Sequence, residues 1–163
     1  MEAWWIIAAL TAASLLVALA LAWHPIRTRL REQALARARR DFHRHRERLE
    51  AQFVRLASSS GKPRGLEWVR CDFDDDVVYA RHRASGEISA FVAVTVGFEA
   101  VEGGGMEHVE AVSNLRAATA VFHSQRGAWK TEGRTLFNMN PAEAIAYYRD
   151  NLELVGAEVA QRN

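Results

Sequence analysis

The chain is 163 residues long, enough for one domain of ordinary size plus an appendage. A single cysteine, Cys71, excludes an internal disulfide and a Cys-based metal site. The net charge of +1 conceals a division. Between Arg27 and Arg48 nine arginines face three acids, whereas from Leu66 onward nine basic residues face fifteen acids.

The first element is the apolar run WWIIAALTAASLLVALALAW, Trp4 to Trp23, twenty residues without a charge. At about 1.5 Å per residue a helix of this length spans roughly 30 Å, the thickness of a bilayer's hydrocarbon core. Trp4, Trp5 and Trp23 stand at its two ends, where indole rings prefer the head-group level. Ala20-Leu21-Ala22 resembles a cleavage site, but the opening MEAWW lacks the basic leader of a signal peptide. The expectation for residues 1–24 is therefore a transmembrane anchor. The arginines that follow outweigh the lone Glu2 before it, so the positive-inside tendency puts the N-terminus outside and the C-terminal part in the cytoplasm. Ala8/Ala12 and Ala9/Ala13 fall at small-xxx-small spacing, although alanine is ordinary filler in such segments.

Pro25 opens a second helix over 25–57, with no Gly or Pro until Gly61. Leu35, Ala38, Phe42, His45, Leu49, Gln52 and Leu56 recur at alternating steps of three and four, a heptad-like seam. The polar His45 and Gln52 make it imperfect. It suits either self-association between copies through Leu35, Ala38, Phe42, Leu49 and Leu56, or a helix laid on the domain that follows. Arg27, Arg29, Arg31 and Arg37 lie close enough to the anchor to meet anionic lipid head groups, at roughly 1 kcal/mol per basic residue. Nucleic acid is the weaker reading of RARRDFHRHRER, because no base-reading module accompanies it. His43 and His45, two apart, point to different helix faces and do not jointly hold a metal.

SSSGKPRG, residues 58–65, reads as a linker, and a small α+β domain over 66–156 follows, with a tail over 157–163. LEWVRCDF and VVYARHR read as two strands joined by a hairpin turn at Asp74, Asp75 and Asp76. Ile88 to Phe98 is apolar on both faces, as a central strand is, with Gly97 marking a bulge or bend. EGGGME is a loop, Ala117 to His123 a further strand, QRG a turn and AWKTEGRTLF another strand. Such short turns favour antiparallel neighbours. Asn140, Pro141 and Glu143 form a capping box with proline at the first helical position. Ala144, Ile145, Tyr148, Leu152 and Val155 continue it as an apolar helical stripe ending at Gly156. The fold class is α+β: an anchor, a long basic helix, a mainly antiparallel sheet of about five strands and a C-terminal helix. In shape alone this is similar to cystatin-like and NTF2-like cones; no motif carries a family resemblance.

The chemistry-bearing residues point to no reaction. DFDDD lacks the glycine and later glutamate of a calcium loop. His82, His108 and His123 come from different segments whose pairing the sequence does not establish. Cys71 has no identifiable partner, and no serine stands in a nucleophile elbow. Glu102 to Gly105 is not a phosphate loop, and Arg134 with Asn138 forms at most a polar pair on one strand face. No residue is assigned to catalysis, a cofactor or a metal. The aromatics from Trp68 to Tyr148 supply a core, or else line a pocket between a curved sheet and a helix. The leading expectation is a non-enzymatic, membrane-anchored interaction or scaffold module, acting on a protein partner or a second copy. A small-ligand-binding or weakly catalytic pocket and an anionic-lipid sensor are its alternatives.

Overall fold

The computed structural model describes residues 3–60 and 65–160. Helix α1 runs from Ala3 to Ser60, β1 is Leu66–His82, β2 is Ile88–Ala100, and a 3-10 turn spans Glu110–Ser113. Then come β3, Arg116–Gln125, the short β4, Ala128–Lys130, and β5, Thr135–Phe137. Helix α2, Pro141–Tyr147, and strand β6, Leu152–Glu158, close the order. The class is α+β, with every strand pair antiparallel and the sheet ordered β4-β3-β2-β1-β6. The chain divides into two units, Met1–Arg39 and Arg40–Asn163.

In the first unit, α1 continues through Pro25 instead of starting there. Among the described residues no helix is long and apolar enough to cross a membrane. Within the expected anchor, residues 1–2 and the side chains at 3, 6, 20–22 and 24 lie outside the described residues. Where side chains are described, the segment is exposed throughout, from Trp4 and Ile7 to Leu19 and Trp23.

In the second unit, α1 lies on one face of the sheet. Phe42, Leu49 and Phe53 are fully buried there. Phe42 makes edge contacts with Tyr79, Phe122 and Trp129, and Phe53 packs on Phe73 and Phe122. Phe42 and Leu49, expected on a seam between copies, are thus spent inside their own domain. The seam departs from strict heptads here, because a straight helix with 3.6 residues per turn carries the packed stripe onto Phe53 and Ala57, leaving His45 exposed. Ser58 and Ser59, expected in the linker, are still helical, and 61–64 lie outside the described residues.

Three other expectations are corrected. The two strands around the aspartates are one strand: β1 runs unbroken, and the register jump between Phe73 and Val77 makes Asp74–Asp76 a bulge, not a hairpin. Arg46 accounts for it. Its guanidinium donates to the carbonyls of Asp74 and Asp75 (3.1 Å for the latter) while Glu50 holds it at 2.6 Å, so the bulged backbone keeps its partners. AWKTEGRTLF is two short strands on the same edge of β3, interrupted at 131–134. Finally, the C-terminal helix stops at Tyr147. Leu152 to Gly156, expected to carry its stripe and C-cap, and Ala157 and Glu158, expected in the tail, instead form β6 paired with β1, with Gly156 opposite Tyr79. Pairing there satisfies the outer edge of β1, which a longer helix would leave bare.

Four local expectations are met. β2 is central and buried on both faces over 88–92. Gly97 sits opposite the bulge between Trp68 and Arg70. Arg126 and Gly127, both at positive φ, make the two-residue turn into β4. The Asn140–Glu143 capping box is formed on both sides. The face of the sheet opposite α1 receives α2, where Ala144 and Ile145 pack on Ala80, Phe91 and Val121.

Candidate functional site

Strand alternation decides which side chains meet on the α2 face. Ser89 pairs with Ala80 on one side and His123 on the other, so all three point the same way. Phe91 and Val121 lie two residues further along and form an apolar floor. His82 ends β1, and its backbone N–H donates to the Glu87 carbonyl at 2.8 Å across the hairpin. Arg134 comes from the break between β4 and β5, where Thr131 donates its hydroxyl to the Val121 carbonyl at 3.0 Å and accepts the Gly133 N–H at 3.1 Å. Tyr148, the C-cap of α2, supplies the opposite wall. Arg83 pins that wall by bonding the Arg149 and Asn151 carbonyls at 3.0 and 2.8 Å.

These groups enclose a pocket of about 250 Å³. Ser89 is buried, and its Oγ is 2.9 Å from His123 Nδ1. Burial holds the His123 imidazole below its ordinary pKa, and the Arg134 charge acts in the same direction, while Glu132 and Glu87 oppose both. His123 is therefore a neutral ring at physiological pH. His82 Nδ1 is buried and has no hydrogen-bond partner among the described residues. Arg134 donates to the Tyr148 hydroxyl at 3.1 Å, with its guanidinium carbon 5.3 Å from the ring centre. Among the described residues it forms no ion pair.

Ser89 and His123 do not amount to an activated nucleophile. Ser89 lies within a strand, and among the described residues no carboxylate hydrogen-bonds His123 to orient it. What the arrangement offers is recognition: a floor of Phe91, Val121 and Leu136, neutral donors and acceptors on one wall, and a braced cation at the mouth.

Two other hollows lack this convergence. One of about 290 Å³ beside the 3-10 turn is lined mainly by Phe98, Met106, Val109 and Phe137. One of about 500 Å³ near the start of α2 gathers Asp72, Asp74 and Glu143. No group of three metal-ligating side chains occurs among the described residues.

The other residues singled out from the sequence are scattered. Arg134 and Asn138 are not a pair: Asn138 turns the chain at positive φ and donates its N–H to the Ala117 carbonyl at 2.9 Å. His108 lies in the loop before the 3-10 turn, far along the chain from the strands carrying His82 and His123. His43 meets Glu158 at 2.6 Å, and His45 meets the Asp41 carbonyl at 2.9 Å. Burial pushes the Cys71 thiol up to about 11, and Asp72 and Glu50 add to it, so it stays protonated. Arg27, Arg29, Arg31 and Arg37 are exposed along α1; Leu35 and Leu56 are half-buried and Ala38 is buried. A pocket between sheet and helix is among the alternatives the sequence offers, but its lining is not legible there because no local motif encodes it. The signal available is Ser89 inside the otherwise apolar run 88–94 and His123 at the end of the apolar run 120–122. No family model, curated protein or solved structure matches the chain.

Proposed function

We propose that this chain is a membrane-tethered, non-enzymatic binding domain whose pocket between the sheet and α2 takes a small molecule. One observation carries the binding reading: His82 Nδ1 and the Arg134 guanidinium both line the pocket, and among the described residues the first has no hydrogen-bond partner and the second no counter-ion. Buried polar groups are almost always partnered, so an orphaned one in a pocket wall asks for a ligand or water. Self-association through Phe42 and Leu49 is disfavoured, because both side chains are buried within their own domain.

The tether rests on exposure. Leu15, Leu16 and Val17 are consecutive and 59–70% exposed, and with Ile7, Leu10 and Leu19 they leave this segment no polar face. A helix apolar all round belongs in a protein core or a bilayer. Arg27, Arg29, Arg31 and Arg37 would then meet head groups on the cytoplasmic side, with the N-terminus outside and the domain in the cytoplasm.

Paired phosphatase and fluorescent-protein fusions after Asn163 test the tether: fluorescence without phosphatase activity is expected, and the reverse removes the proposed orientation. Binding is tested on the full chain in detergent, with ¹³C-labelled histidine and a pool of ring-sized acids, amides and amines. Saturable shifts of His82 and His123, with His108 unmoved, are expected. A pool that moves neither ring overturns the binding reading.

A further inference from the structure

Taking the pocket as a binding site, we infer that its ligand class is a small monocarboxylate with an apolar, ring-sized body, the carboxylate on Arg134 and the body on Phe91. Size is the first constraint. About 250 Å³ lies just under the roughly 300–1,000 Å³ of pockets for drug-sized ligands, so the body is small. The floor supplies the second, because Phe91, Val121 and Leu136 offer no polar atom to a buried ligand.

Charge supplies the third. A guanidinium presents a planar fork matched to a carboxylate, and here the fork is already braced by the Tyr148 hydroxyl and ring. Pre-ordering the side chain reduces the entropy lost on binding. Glu87 lines the same pocket, and the Glu132 charge is felt at His123. These two carboxylates disfavour a second acidic group on the ligand. Glu87 and Arg134 are both exposed, but Arg134 is held by the Tyr148 hydroxyl and ring whereas Glu87 has only Ser85 Oγ at 3.4 Å, so the better-ordered attractor in the pocket is the cation. His82 Nδ1, Ser89 and His123 remain as hydrogen-bonding partners for one further polar atom on the ring.

The test uses the full chain in detergent, the histidine ring signals, and three ring-sized probes of different charge: benzoate, benzamide and benzylamine. Benzoate is expected to shift His82 and His123 saturably, at least ten times more tightly than the other two. Arg134→Gln should bring benzoate down to the level of benzamide and leave benzamide unchanged. Arg134→Lys, which keeps the charge and loses the fork, should fall between. Because Arg134 is exposed, its variants are expected to fold, which an unmoved His108 signal checks. Tyr148→Phe, removing only the hydroxyl brace, gives an independent second variant with a smaller loss for benzoate. Benzamide or benzylamine matching benzoate, or benzoate indifferent to Arg134→Gln, overturns the carboxylate assignment while the pocket reading survives. If no probe moves either ring while the acid, amide and amine pool does, the ring-sized carboxylate is wrong. If the pool also fails, both readings fall.

Discussion

Single residues decide how α1 and the pocket-bearing strands are held. Gly133 sits at φ +73° in the break between β4 and β5, and a Cβ there would lie 2.6 Å from the Ala57 nitrogen and 2.8 Å from the Leu56 side chain. Neither the helix backbone nor the left-handed conformation accommodates that atom. Gly133→Ala should cost at least about 2 kcal/mol, read as a lower denaturant midpoint at unchanged slope. His123 makes the stability depend on pH. Its folded-state pKa is lowered, chiefly by burial, so below about 6.5 the unfolded chain binds a proton that the native ring resists. Stability from this group is complete above that pH and is lost as pH falls toward the lowered value. His123→Gln should flatten the decline as pH falls below about 6.5; an unchanged slope would show that His123 does not cause it. Arg46 was the residue least legible beforehand. In the sequence it is one of nine arginines between Arg27 and Arg48, and only the folded chain shows it bonded to the carbonyls of Asp74 and Asp75 in the bulge.

At the scale of elements, local signals were readable where they were self-contained. The Asn140–Glu143 capping box uses four consecutive residues, and both of its hydrogen bonds form. Asn140→Ala should destabilise the domain by about 1 kcal/mol and Asn140→Asp by much less, measured by thermal melting. The helix it starts ends early because the next apolar residues satisfy a distant partner. Leu152 and Val155 fit a helical stripe, but the free edge of β1 takes Leu152 to Glu158 as a strand, with an irregularity between Leu154 and Gly156. The aspartate run fails for the same reason: three charged residues read as a turn until a helix 28 residues away supplies donors for their carbonyls. Helix α1 shows a third case. Phe42 was legible as part of a packing seam, yet the sequence left open whether the seam meets a second copy or its own sheet. With Phe42 against Tyr79, Phe122 and Trp129, Phe42→Ala should cost about 3–5 kcal/mol with the oligomeric mass in detergent unchanged. A fall in mass at constant stability would return the seam to an intermolecular role.

At the scale of the whole molecule, the sequence by itself determined the α+β class, the long basic helix, the antiparallel meander, the central β2 and the start of α2. These follow from periodicity, turn residues and caps, which act over a few neighbouring residues. It also contained the charge-free run from Trp4 to Trp23, whose meaning depends on its solvent and not on any fold. Tertiary structure alone decided that β1 is continuous, that β6 is a strand, that α1 covers one face of the sheet, and that Ser89, His82, His123 and Arg134 share a pocket on the other. Each of these depends on register between strands distant in sequence. A slip of one residue would turn Ser89 and His123 to the opposite face, so the pocket exists only once that pairing is set.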